Sequence, residues 1–315
     1  MFGIKSSWNI SFISTIKLIR IMIKSLKINT NNFREITDID VPNLLTSVNS
    51  NDEIICKKVL IENKFECIWI YNKNIKDYKN HNKYIFFIHG GAFCFSNTNT
   101  YKKFLYELSE KTSSVIFSVD YRRAPEYKYP IPLEDCIKAY KYFLNKIYNT
   151  DTNICIFGDS AGGNLTIYLI SYLIQNNFTK PNVCILVSPW IDLTDKGKSS
   201  SWIENSKYDL VKHEFTNFFS YEYIDITKNN LEDVSPCFMN TEILSQFPPT
   251  LIEYGECEVL YDQIHHFYKK MKKHGVLVHH NCRKDMIHDF PLLHFTNILQ
   301  INDFFNDVNK FIVKK

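Results

Sequence analysis

A serine hydroxyl is a weak nucleophile at neutral pH and attacks an acyl carbon only when it is held exposed beside a base. Ser160 lies in a run suited to that task, ICIFGDSAGGNLTIYLI from Ile154 to Ile170: a short apolar stretch, a sharp Gly-Asp-Ser-Ala-Gly-Gly turn, then a helical pattern. Strand, strained turn and helix in that order lift a serine off the end of a sheet. Gly158 and Gly162 flank it because a side chain at either place would crowd the neighbouring strand and helix. The chain has nine glycines, and six of them (Gly90, Gly91, Gly158, Gly162, Gly163 and Gly255) fall in three short stretches. Those stretches are expected to meet at one site.

Acyl transfer places negative charge on an oxygen in its tetrahedral intermediate, and the N–H groups of a glycine-rich loop can point at that oxygen with no side chain in the way. His89-Gly90-Gly91-Ala92-Phe93 follows the apolar run YIFFI, so this loop leaves the end of a strand. Gly90, Gly91 and Ala92, with Ala161 after the serine, are the expected oxyanion donors, each worth about 3 to 4 kcal/mol in the transition state. The chemistry also needs an acid and then a histidine, each after a later strand. The apolar run PTLIEY leads into GECEVLYD, with Glu256, Glu258 and Asp262, and VLVHHN is followed by DMIHDF, with His288. Ser160, Glu258 and His288 therefore stand in working order at strand ends. The pairs His265/His266 and His279/His280 have no carboxylates spaced as metal ligands, so no metal and no cofactor are expected.

These residues need a sheet to position them. Strand patterns occur at Ile54 to Ile61, Phe65 to Tyr71, Tyr84 to His89, Val115 to Asp120, Ile154 to Gly158, Val183 to Ser188, Thr250 to Tyr254 and Leu277 to Asn281. Helical patterns fall at about 101–113, 133–148, 161–176 and 261–274, with a last one near 295–313. Helices follow only after the third strand, which predicts an α/β fold of about eight strands: a hairpin start, then a mostly parallel sheet with helices on both faces. Between Trp190 and Pro248 there is no strand signal, only helical stretches rich in aromatics. An insertion at about 191–247 would lie over the carboxyl ends of the strands, where open sheets bind ligands, and is expected to be a helical lid.

Residues 10–29 form an apolar run with Lys17, Arg20, Lys24 and Lys27 on one helical face. This helix is too often interrupted for a membrane span, so it either packs on the domain as lid or makes peripheral contact with a membrane. Residues 29–52 read as polar loop, giving an N-terminal lid or anchor segment at 1–52 and a catalytic domain at 53–315. With 45% hydrophobic residues the chain can bury a large core, and a net charge of +3, scattered, leaves no footprint for nucleic acid. Nine cysteines at irregular spacings suggest neither a disulfide framework nor a zinc site but a reducing, cytoplasmic compartment. The sequons at Asn9, Asn164 and Asn177 are expected to be unused, since a glycan on Asn164 would block the elbow. Oligomeric state is not legible in the sequence.

Taken jointly, HGGAF at 89–93, DYRRAPEYKYP at 120–130 with Leu133, Glu134 and Asp135, GDSAGGN at 158–164, SPW with Asp192, EVLYD at 258–262 and HDF at 288–290 resemble the hormone-sensitive-lipase-like branch of the α/β-hydrolases. The resemblance covers the chain from about Tyr84 onward and implies an α/β-hydrolase fold, with Ser160 as nucleophile, His288 as general base and Glu258 as the triad acid. It also implies that the lid is made of the N-terminal segment plus the insertion. Two positions depart from the family: Glu258 stands where Asp is usual, and Ala92 where the oxyanion loop usually has Gly, an exchange tolerable unless its φ is positive. Arg122, Arg123 and Glu126 are expected to be structural. The expected activity is hydrolysis of a small apolar ester with a short or medium acyl chain through an acyl-enzyme. Deacetylation of an amide or sterol acetate is the alternative within chemistry. A ligand receptor on the same scaffold is the alternative outside it; the receptors that resemble this family have lost the histidine that His288 supplies here.

Overall fold

The computed structural model describes residues 3–25, 28–38, 54–147, 151–195 and 199–313. Eight strands form one sheet: β1 Ile54–Ile61, β2 Phe65–Asn72, β3 Lys83–Ile88, β4 Val115–Val119, β5 Asn153–Asp159, β6 Val183–Val187, β7 Thr250–Gly255 and β8 Val278–Arg283. Their order is β1-β2-β4-β3-β5-β6-β7-β8. β1 and β4 each pair antiparallel with β2, and every other pairing is parallel. The expected hairpin start and parallel remainder are both present. Central strands such as VIFSV and VCILV are buried along their whole length because both faces are covered, so they read as nearly continuous apolar runs. Alternation sorts their side chains between two cores: on β3, Phe86 joins Trp69, Phe117 and Phe143 on one face, and Phe87 joins Phe104, Phe157 and Phe304 on the other.

The helices are α1 Ile10–Ser25, α2 Thr30–Thr37, α3 Thr98–Thr112, α4 Ile131–Leu144, α5 Ser160–Gln175, α6 Ser200–Asn205, α7 His213–Tyr223, α8 Thr241–Leu244, α9 Tyr261–Lys273 and α10 Leu299–Val313. Two differ from expectation. The segment read as polar loop from 29 onward contains α2, started by the Asn29 side chain accepting the Asn32 N–H at 2.8 Å. The loop expected at 39–52 lies outside the described residues. The last helix also begins later, since 290–296 is a 3₁₀ stretch that ends at Asn297 with φ 52. A left-handed residue cannot continue a right-handed helix.

The insertion carries α6, α7 and α8 with no strand among its described residues, as a helical lid should. α1 packs rather than floats. Trp8, Phe12 and Ile16 are buried, Trp8 Nε1 donates to the Asp285 carbonyl at 2.7 Å, and Asn9 Nδ2 donates to the Thr296 carbonyl at 2.8 Å. Its basic stripe is not uniform: Lys17 and Lys24 face solvent, while the Arg20 guanidinium turns inward to the Asp209 carbonyl. Lys27 lies outside the described residues. α2 is clamped by Arg34, whose guanidinium meets both Glu126 oxygens at 2.8 Å and the carbonyls of Cys94 and Ala124 at 2.7 Å. Arg122 forks onto buried Asp135, and Arg123 bonds Asp38 at 2.9 Å. The DYRRAPEYKYP stretch is therefore structural, as its composition suggested. No described helix is long and apolar enough to cross a membrane. All nine cysteines are free, and Asn164 is buried with its Nδ2 on the carbonyls of Trp190 and Val234.

Candidate active site

β5 passes into α5 with no loop between them, so Ser160 must turn the chain by itself at φ 50. Such strain costs about 1 to 3 kcal/mol and persists only where the surroundings enforce it. They do so through close backbone packing: a Cβ on Gly158 would lie 2.3 Å from the Gly162 carbonyl oxygen, and one on Gly162 would lie 2.1 Å from that of Ile88. The Ser160 carbonyl accepts from Trp190 N–H at 2.9 Å. Its hydroxyl meets His288 Nε2, also at 2.9 Å.

His288 stands in the loop after β8 and is held from the lid, its main-chain N–H reaching Asp209 Oδ1 at 3.3 Å. Its Nδ1 faces Glu258 Oε2 at 3.8 Å, beyond hydrogen-bond reach. Glu258 is fully buried, and the same Oε2 accepts from Ser188 Oγ at 2.6 Å and Gly255 N–H at 3.3 Å. The other two carboxylates of the loop are occupied elsewhere. Glu256 is exposed and accepts the Asp285 N–H at 3.1 Å, while Asp262 accepts from Ser200 Oγ at 2.9 Å and Ser201 N–H at 2.8 Å and so pins α6. Of the three, Glu258 is the one beside the imidazole.

The glycine-rich loop requires a correction. Gly90 N–H is engaged by Tyr101 Oη and Asp159 Oδ1, both at 3.1 Å, so it is not free to receive an oxyanion. A Cβ there would also lie 2.4 Å from Asp159 Oδ2. Gly91, Ala92 and Phe93 all have positive φ (104, 50 and 63), a winding that turns successive N–H groups inward. Ala92 thus meets the condition that makes Ala costly, at about 1 to 2 kcal/mol. The N–H groups of Gly91 and Ala92 have no partner among the described hydrogen bonds, and Ala161 lies in the first turn of α5, where N–H groups lack an intrahelical acceptor.

Three further carboxylates belong to this site. Asp289 Oδ2 lies 3.1 Å from His288 Nε2, and its N–H donates to Ser188 Oγ at 3.1 Å. Asp159 is buried and accepts from Tyr101 Oη at 2.6 Å. Asp209, also buried, collects the N–H groups of Val259 and Leu210 besides that of His288. Asp159 and Asp289 adjoin the serine and histidine in sequence, a signal that could have singled them out; Asp209 sits in the lid with no pattern around it.

The electrostatics follow from burial among acids. Burial pulls the His288 imidazole down, but Asp289 first, then Glu258 and Asp209, outweigh it and push its pKa up to about 10. Burial raises Glu258 to about 8 against the opposing pull of His288 and Ser188. Burial also raises Asp209, and Asp159 rises well above its ordinary range through burial and the charge of Asp289. His89 is a different case: burial lowers it to about 4, and the neutral ring stacks on Tyr121 while Nδ1–H donates to the Gly90 carbonyl at 2.7 Å. It supports the loop from behind. Glu256, Cys257 and Asp285 bring possible metal-binding atoms within 4.8 Å of one another, yet Asp285 already accepts Ser7 Oγ at 2.9 Å and pairs with Lys5 at 3.4 Å. That cluster anchors the N-terminus.

Ser160, His288, Gly91 and Ala92 line one cavity of about 390 Å³. Its remaining walls are mostly apolar, with Ile19 and Met22 from α1, Phe33 from α2, Phe215 and Phe219 from α7, and Leu292 from the 3₁₀ stretch, while Lys103, Asp289 and His294 add charged or polar groups. A hydroxyl on a base, free N–H groups beside it and apolar walls around it suit acyl transfer from an apolar substrate.

Known proteins carry the same arrangement of sequence. The alpha/beta hydrolase fold family matches residues 85–292. An esterase of Acinetobacter venetianus is 31% identical over 233 residues, covering 71% of this chain and 72% of its own. An acetyl esterase of Salmonella enteritidis is 24% identical over 225 residues, covering 70% and 68%. The crystal structure of an esterase from the bacterial hormone-sensitive lipase family superposes with a TM-score of 0.83 over 97% of this chain and 98% of that one, at 22% identity, a likeness of fold.

Proposed function

Since this chain belongs to the alpha/beta hydrolase fold family, in its hormone-sensitive-lipase-like branch, we propose that it hydrolyses carboxylic esters with short or medium apolar acyl chains through an acyl-enzyme on Ser160. The observation that carries this reading is the 2.9 Å contact between Ser160 Oγ and His288 Nε2 inside an apolar cavity. Ser160 Oγ attacks the ester carbon as His288 Nε2 takes its proton, and the N–H groups of Gly91, Ala92 and Ala161 hold the oxyanion. Glu258, 3.8 Å from Nδ1, stabilises the imidazolium by its charge. The proton then passes to the departing alcohol, and a water activated by the same nitrogen releases the acid.

The size of the cavity supports the acyl range, since about 390 Å³ lies near the lower end of ligand sites, which span roughly 300 to 1,000 Å³. Free cysteines throughout support a reducing, cytoplasmic setting. A panel of nitrophenyl esters from acetate to palmitate tests the reading: turnover should peak at short or medium chains and fall at palmitate. A fluorophosphonate should label Ser160. A folded protein that neither turns over any ester nor takes the label would be a binding protein on this scaffold.

A further inference from the structure

A carboxylate beside an imidazole nitrogen is favoured there when that nitrogen carries a proton, since two lone pairs repel and a charged ring attracts. His288 Nε2 has two oxygens close by, Ser160 Oγ in a hydrogen bond at 2.9 Å and Asp289 Oδ2 at ion-pair distance, 3.1 Å. Nδ1, the nitrogen that should carry the proton toward Glu258, has no hydrogen-bond partner among the described residues. A carboxylate therefore stands at the edge of the ring that must be bare for it to act as a base, with none bonded to the other edge.

We propose that Asp289 is a positioning residue that holds His288 as a protonated resting imidazolium, competing with Ser160 for the Nε2 proton, so that the site switches on as that proton leaves to water with rising pH. The inference rests on the Ser160 and His288 reading above. Asp289 is fixed for this part by its backbone, at φ 51 with its N–H on Ser188 Oγ. The same serine donates to Glu258 Oε2 at 2.6 Å, so one hydroxyl ties the Glu258 carboxylate to the Asp289 backbone. Charged groups face the ring from every side: Glu258 from the loop after β7, Asp209 from the lid, Asp159 from the end of β5 and Asp289 from its own loop. All four are acids. Asp289 is the one within hydrogen-bond reach of a ring nitrogen, and it is the largest of the influences that raise the imidazole.

The test is the pH profile of kcat/KM for nitrophenyl acetate in the wild type, Asp289→Asn and Asp289→Gly. Asn and Gly both tolerate a left-handed backbone, so either variant can keep the loop. The wild-type acid limb should have its midpoint above the ordinary histidine value of about 6.5. In both variants that midpoint should fall by about one unit or more, the effect of removing an opposite charge at this range. The midpoint does not depend on how much protein is folded, so partial destabilisation leaves the readout intact. An acid limb at the same pH in all three proteins would overturn the inference while leaving Ser160 and His288 in place. A wild type with neither turnover nor fluorophosphonate labelling would overturn both.

Discussion

Glu258→Gln removes one charge and almost no volume, which makes it the sharpest probe of how this site works. Glu258 Oε2 stands 3.8 Å from His288 Nδ1. At an effective dielectric of about 20, a unit charge at that range stabilises an imidazolium by about 4 kcal/mol, roughly a thousand-fold in rate. The Gln amide can also present a donor to Nδ1 and so favour the wrong tautomer, extending the loss toward about ten-thousand-fold in kcat. Folding should not suffer. Gln can still accept from Ser188 Oγ, and burial has raised the Glu258 pKa to about 8. A carboxyl raised on folding stabilises the protein when protonated, and that contribution fades as pH rises from about 4.5 toward about 8. Gln escapes the fade but loses the partner of the His288 imidazolium, so the comparison belongs above about pH 10, where the ring is neutral: there the variant should melt no lower than the wild type while turning over far more slowly. The assay is kcat on saturating nitrophenyl butyrate with thermal melting alongside. Glu258→Asp should keep much of the activity. Glu256→Gln and Asp262→Asn should alter stability or the seating of α6 more than chemistry. A Glu258→Gln enzyme within a few-fold of wild type, beside an inactive Glu256→Gln or Asp262→Asn, would refute the assignment.

Ser160→Ala and His288→Ala should each cost roughly a million-fold in kcat, and the double variant little more; near-additive losses would separate the two residues. Tyr101→Phe orphans part of buried Asp159 and of the Gly90 N–H, at about 1 to 3 kcal/mol for each orphaned group; an unchanged denaturation midpoint in urea would show that this support is idle. Arg34→Ala releases α2, and with it Phe33, from the cavity wall, so selectivity among acyl lengths should shift while labelling of Ser160 persists; an unaltered ester profile would contradict that. Because α1 seats Phe12 and Ile16 in the protein, the intact chain should stay in the supernatant with anionic vesicles. Salt-reversible sedimentation would mean that α1 leaves the domain for a membrane.

Strands were the most legible feature, because double burial writes β3, β4 and β6 as nearly continuous apolar runs with turn residues between them. α2 was hidden for the opposite reason: TNNFREIT is short and polar on average, and Phe33 with Ile36, three positions apart, cover too few turns to stand out. Order along the chain was enough to bring out Ser160, Glu258 and His288 as a group, since strand ends of a parallel sheet converge. The direction of a backbone N–H is not written in residue types, which is why Gly90 was expected among the oxyanion donors and instead faces Asp159 and Tyr101. Asp289 was visible as a neighbour of the histidine, but that its carboxylate turns back to Nε2 depends on one left-handed residue. Asp209 reaches the histidine loop from a lid helix junction, a tertiary meeting with no local pattern.

The anchors of α1 lie far along the chain: Trp8 and Asn9 bond to residues 277 and 287 positions beyond them. A chain emerging from the ribosome therefore displays this helix long before the residues that anchor it. The elbow of Ser160 precedes Leu292 in the chain, so part of the cavity wall is made after the nucleophile turn. Until those residues are made, α1 lacks the anchors of Trp8 and Asn9, and in that window a chaperone or a neighbouring nascent chain can take hold of its apolar face.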